Sequence, residues 1–190
     1  PGSKSTIADL ASFRANGWDI DLASHHRRGG HVLGICGGYQ MLGRTIADPD
    51  GLEGAPGEIA GLGLLDVATI MQPRKHLARV TATDIDSGTR VDGYEIHLGV
   101  TTGPDADRGW LRRDGVAVGA ASGDGRVRGC YLHGLFAGDA FRAAYLARLG
   151  ATGALTQHGN GVETTLDALA DHLAAALDMD ALSRIAVDIR

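Results

Sequence analysis

The seven residues GICGGYQ (34–40) follow the short apolar run HVL and precede MLGR. Glycine or cysteine fills four of the five positions 34–38, a density that few backbone arrangements need. A buried strand turning sharply into a helix is one of them. Small residues let the chain pass close to the helix that follows, and the residue at the turn takes strained backbone angles. Gly34-Ile35-Cys36-Gly37-Gly38 has the form G-x-nucleophile-x-G, with a thiol in the central position. The positive end of the following helix would point at that thiol, predicting a lowered pKa and a reactive thiolate. The N–H of Gly37 would be available to an oxyanion. The same pentapeptide is also compatible with an inert buried thiol in a glycine-rich turn, since cysteine is among the most buried residue types.

The rest of the chain sets this turn in an α/β pattern. STIADLASFRAN (5–16) has helical spacing, with Ser5 or Thr6 as N-cap, Asp9 closing a capping box on Thr6, and Gly17 as a C-terminal stop. Residues 19–28 read as a second short helix ended by Gly29-Gly30, HVLGI (31–35) as a buried parallel strand, and GYQMLGR as the start of a helix. Residues 48–63 read as a long glycine- and proline-rich loop. From Leu64 to about Val127 the segments LLDVATIM, LARVTAT, GYEIHLGVT and GVAVGAAS read as short strands of an antiparallel or mixed extension. VRGCYL (127–132) returns to a buried strand, DAFRAAYLARL (139–149) is an amphipathic helix, 151–162 a loop, and 163–185 one helix with Leu166, Leu169, Leu173 and Leu177 in register. The expected fold is an open, mostly parallel, doubly wound sheet with helices on both faces and an antiparallel extension.

A length of 190 residues suits one domain, taken as 1–190. The chain opens PGSKST, without methionine, and turn residues lead straight into a helix. That reads as a βα unit whose strand lies outside the chain, so a fragment of a longer polypeptide is expected, its missing strands supplied by another segment. A net charge of −5 and scattered basic residues point to neither a nucleic acid nor an anionic membrane. No stretch has the run of about 18 apolar residues that a membrane helix needs. Two cysteines make no disulfide framework, which fits a reducing cytoplasm.

A cysteine nucleophile needs a base, and eight histidines are available. His133, in CYLHGLF, stands at the carboxyl end of a buried strand, on the rim where catalytic groups of open α/β sheets gather. His97, in GYEIHLG, is the competitor, with Glu95 two residues away on the same strand face. Cys130 reads as core. No Cys/His spacing matches a zinc pattern, so no metal is expected. PGSKS lacks the spacing of a phosphate-binding loop, but the N–H groups of Gly2 and Ser3, at a helix start, suit an anion.

On PGSKSTIADL, GICGGYQMLGR, GLGLLDV, GYEIHLGVT, GCYLHGLF and LADHLAAALDMDAL, the chain resembles the class I glutamine amidotransferase domains, most closely the glutaminase type found C-terminal in cobyric acid synthases. The resemblance implies a flavodoxin-like sheet. It implies that Cys36 attacks the side-chain amide of glutamine to give a thioester and ammonia, and that His133 moves the proton. Gly37, with Gly2 or Ser3, would form the oxyanion hole, and Gln40 would help to hold glutamine. These domains usually carry a glutamate two residues after the histidine; here that position is Leu135, as in the cobyric-acid branch. A Cys–His dyad is therefore expected, with a backbone carbonyl or Glu95 orienting His133. The resemblance further implies ammonia transfer to an N-terminal synthetase domain that uses ATP and magnesium to amidate corrinoid carboxylates, with no cofactor in the glutaminase domain itself. Two alternatives stay open: a glutaminase for another acceptor, such as that of cobyrinic acid a,c-diamide synthase, or a cysteine hydrolase of unrelated amides.

Overall fold

Thr6–Ala15 (α1) and Trp18–Arg27 (α2) are the two helices expected ahead of the elbow, with Gly17 between them at φ 73°. The computed structural model describes residues 1–74, 76–152 and 158–187. The capping box at α1 is not made. Asp9 instead accepts from the Ser3 hydroxyl, and Thr6, buried, donates to Gln40 Oε1 at 3.1 Å. The hydroxyl that would have capped the helix is committed to the interior.

Val32–Ile35 (β1) runs into Gly37–Leu42 (α3), the strand–turn–helix that GICGGYQ predicts. There follow Thr45–Asp48 (β2), Gly57–Ala60 (β3), Ala68–Ile70 (β4), His76–Asp84 (β5), Arg90–His97 (β6) and Val100–Thr102 (β7). Leu111–Arg113 (β8), Val116–Val118 (β9), Ala120–Ala121 (β10), Val127–Cys130 (β11) and Leu132–His133 (β12) lead to Asp139–Arg148 (α4).

The strands form three sheets, ordered β1-β11-β10, β12-β6-β5-β8-β9 and β3-β2-β4-β7. The α/β character holds, with its balance moved. Among the described residues, parallel pairing joins β1 to β11 and β2 to β4, and the other pairings are antiparallel. The expected antiparallel extension is thus the larger part of the pairing, with short turns joining β5 to β6 and β8 to β9 as hairpins. Part of the expected loop 48–63 is structured too: Gly57–Ala60 folds back on β2, Ile46 opposite Ile59.

VRGCYL, expected as one strand, divides at Tyr131. Up to Cys130 it is paired with β1, and from Leu132 it is paired with β6 in another sheet. Three apolar clusters hold these layers. Val32, Tyr39, Leu42 and Val127 join β1, α3 and β11; Phe141 and Tyr145 of α4 cover Val80, Val91, Leu111 and Leu132; Leu10, Ile46 and Met71 fill the third.

The chain divides into two compact units, Pro1–Ala151 and Thr152–Arg190. In the second, His158–Ala176 (α5) and Met179–Val187 (α6) replace the single expected helix. Asp178 breaks it: its carboxylate accepts from the Ala181 N–H at 2.9 Å, an N-cap that starts α6. Of the expected loop 151–162, residues 153–157 lie outside the described residues and 158–162 are helical. No helix among the described residues is long and apolar enough to cross a membrane.

Candidate active site

Parallel pairing sets Ile35 of β1 beside Cys130 of β11, so the residues just beyond both strands share one rim. Cys36 sits there at φ 56°, ψ −116°, and caps α3. A non-glycine residue keeps such angles only where its surroundings over-determine them. Here the Cys36 N–H donates to Cys130 O at 2.8 Å, and the Gly38 N–H to Pro1 O at 2.9 Å. The flanking glycines make room for the crossing. A Cβ at Gly34 would meet Gly38 O at 2.7 Å, and one at Gly38 would meet Pro1 O at 2.8 Å.

The thiol is 6% exposed and donates to Ile96 O at 3.3 Å. Burial pushes its pKa up, opposed by the N–H groups of Gly37 and Ser3, which bond the sulfur. Burial therefore opposes the lowering expected from the helix terminus, and α3 spans only six residues. Of the candidate oxyanion donors, the N–H groups of Gly37 and Ser3 lie beside the thiol.

Gly2 marks where the thiol and His133 converge. A Cβ there would stand 2.9 Å from His133 Cε1, 3.7 Å from its Nε2 and 3.5 Å from Cys36 Cβ. His133 Nε2 is buried without a hydrogen-bond partner among the described residues, and desolvation lowers the pKa of the ring. A neighbour that sequence reading missed lies against its ring. Tyr94, opposite His133 in the β6–β12 register, stacks on the imidazole with ring centres 5.0 Å apart and planes 7° from parallel. Glu95 points to the other face of β6, where it accepts from Arg113 Nη1 at 2.7 Å and lies 3.2 Å from His76 Nε2. Leu135 is 1% exposed and packs in the core with Leu132 and Phe141, so the place where related domains carry a glutamate is apolar here.

Gln40 reaches the floor of the cleft with most of its hydrogen-bonding capacity already used. It donates to Leu98 O at 2.9 Å and Tyr131 Oη at 3.2 Å, and it accepts from Thr6. His97 forms a wall of the same cleft, its Nδ1–H donating to Gly99 O at 3.2 Å and its ring stacked on Tyr131. The cleft, about 630 Å³, also brings Lys4 and Glu53 to its surface. Neither stands out in the sequence, where each is an ordinary charged residue. Cys130, fully buried, is pushed up to about 12 by desolvation and is core, as expected.

A strained cysteine, two N–H donors on its sulfur and a nearby imidazole can carry out acyl transfer through a thioester. Against known proteins, residues 1–141 match the CobB/CobQ-like glutamine amidotransferase domain. The chain belongs to that family. Among curated relatives, the cobyric acid synthase of Cereibacter sphaeroides is 59% identical over 186 residues, and that of Rhodobacter capsulatus is 60% identical over 186 residues. Each alignment covers 98% of this chain and 39% of the relative, so the chain spans about two-fifths of their length. A solved glutamine amidotransferase structure superposes with a TM-score of 0.53 at 18% identity, covering 78% of this chain and 76% of that one, a likeness in fold.

Proposed function

We propose that this domain hydrolyses glutamine and supplies the ammonia for amidation of corrinoid carboxylates in cobalamin biosynthesis. The observation that carries the chemistry is the Cys36 turn: a thiol held at φ 56° under the N–H groups of Gly37 and Ser3, with His133 across Gly2. His133, kept neutral by desolvation, takes the Cys36 proton as Sγ bonds to the side-chain amide carbon of glutamine. The oxyanion receives the Gly37 and Ser3 N–H groups. Collapse breaks the C–N bond, and His133 returns the proton to the departing ammonia. Water, deprotonated by the same imidazole, then cleaves the thioester to glutamate.

Tyr94 is a positioning residue in this scheme, holding the imidazole by its ring face where other members of the class use a carboxylate. Glu53 and Lys4, of opposite charge on the cleft surface, suit the α-ammonium and α-carboxylate of glutamine, with Gln40 bracing the floor between α1 and Leu98. The likeness to cobyric acid synthases supports the corrinoid acceptor. ATP and magnesium would act in a synthetase segment of a protein of the relatives' length, and both proton-transfer and thioester chemistry here need neither.

The test is ammonia release from glutamine and from unrelated amides. Turnover confined to glutamine, abolished in Cys36→Ala and with KM raised in Glu53→Gln, is expected. Equal turnover of other amides would favour a general cysteine hydrolase.

A further inference from the structure

Beside the catalytic cleft, one wall of which is His97, antiparallel pairing of β5 and β6 sets His76 opposite His97, and alternation along β6 puts Glu95 on the same face as His97. Ligand atoms of His76, Glu95 and His97 all lie within 4.8 Å of one another. We propose that these three residues form a binding site for a divalent transition-metal ion of the zinc(II) type, separate from the Cys36–His133 chemistry.

The donor set decides the class of ion. Two imidazoles and one carboxylate suit zinc and its neighbours, whereas magnesium and calcium take oxygen ligands. Spacing is close to what an ion requires. Bonds of about 2.0–2.2 Å in a tetrahedral arrangement place ligand atoms about 3.4 Å apart. His76 Nε2 and Glu95 Oε2 are already 3.2 Å apart. The remaining closure falls to His76, whose side chain is 49% exposed and so can rotate without disturbing the core.

The supporting shell is present too. The Nδ1–H of His97 is held by Gly99 O, which fixes the tautomer and leaves Nε2 its lone pair. Arg113 holds Glu95 Oε2 at 2.7 Å, orienting the carboxylate as a hydrogen-bond donor beside the ion. Metal binding takes the lone pair of the His76 ring nitrogen, so any proton on that atom is released to solvent. Three protein ligands leave a fourth position for water. The sequence hides this site because positions 76, 95 and 97 match no metal spacing; strand register creates it.

The experiment uses the chelator-treated protein titrated with cobalt(II) chloride, followed by the visible absorption of the bound ion and its loss on zinc(II) addition. One cobalt per chain is expected. Loss of a second-shell partner typically weakens metal binding about 10–100-fold, so removal of a ligand in His76→Ala or Glu95→Gln should weaken it at least about tenfold. Cys36→Ala should bind as wild type, since the thiol is not a ligand. Unchanged affinity in His76→Ala, with its native circular dichroism, would overturn the proposal, as would a wild-type Kd weaker than about 1 mM. The readout requires no turnover, so it stands or falls apart from the glutaminase reading.

Discussion

The two cysteines are neighbours across one parallel pair and have opposite chemical prospects. Cys36 follows β1, Cys130 ends β11, and the N–H of the first donates to the carbonyl of the second. Both are buried and both have their pKa raised by desolvation. Burial therefore does not separate a nucleophile from a core residue. Backbone does. Cys36 is turned out of the strand at φ 56° with two N–H groups on its sulfur, and it opens on a cleft. Cys130 continues its strand and packs among Leu132, Leu135 and Phe141.

The largest effect should break the two apart in a single pair of variants. Cys36→Ala is expected to lower glutamine turnover at least about a thousandfold, as loss of a covalent nucleophile does. Cys130→Ala should leave kcat within a few-fold of wild type while lowering stability by about 1–2 kcal/mol, read by denaturant unfolding. Comparable loss of turnover in both variants would mean that the elbow is not special.

The second contrast lies between the imidazoles near these thiols. His133→Ala should lose about a hundredfold or more in kcat, the usual worth of general acid–base catalysis, and His97→Ala should retain a substantial part of the thiol's reactivity. A reversal would transfer the base role to His97. Smaller again is the Tyr94 stack. An aromatic pair contributes about 0.5–1.5 kcal/mol, so Tyr94→Ala should cost up to about tenfold in kcat with KM little changed. Tyr94→Phe, which keeps the ring face, should restore it. Equal loss in both variants would assign the hydroxyl, not the stack.

The mildest probe is pH. The thiolate is the reactive form, and the Cys36 pKa lies above its ordinary value of 9.0. Alkylation by iodoacetamide without glutamine should therefore keep accelerating as pH rises through 9, with Cys130 unlabelled in the folded protein. A rate already level at neutral pH would mean that the helix terminus and the Gly37 and Ser3 donors outweigh burial.

Much of the elbow was legible in sequence because its demands are local. Glycines at 34, 37 and 38 state where backbone passes close, and the residue between them must be the one presented. The partners across the sheet were less legible. Nothing in VRGCYL announces that the pairing changes sheet at Tyr131, whose hydroxyl meets Thr101 Oγ1 and whose ring meets His97, both distant in sequence. Tyr94 and the His76–Glu95–His97 cluster exist only through strand register. The thiol's pKa is less legible for a related reason: a helix start is visible in sequence, whereas the depth of burial around it is a tertiary outcome.

The most direct measurement is covalent labelling with a diazo-ketone analogue of glutamine, located by peptide mass spectrometry. The account predicts one label per chain, on Cys36, with glutamine protecting it and labelling strongly slowed in His133→Ala. A label on Cys130, or persistence of labelling in Cys36→Ala, would contradict it.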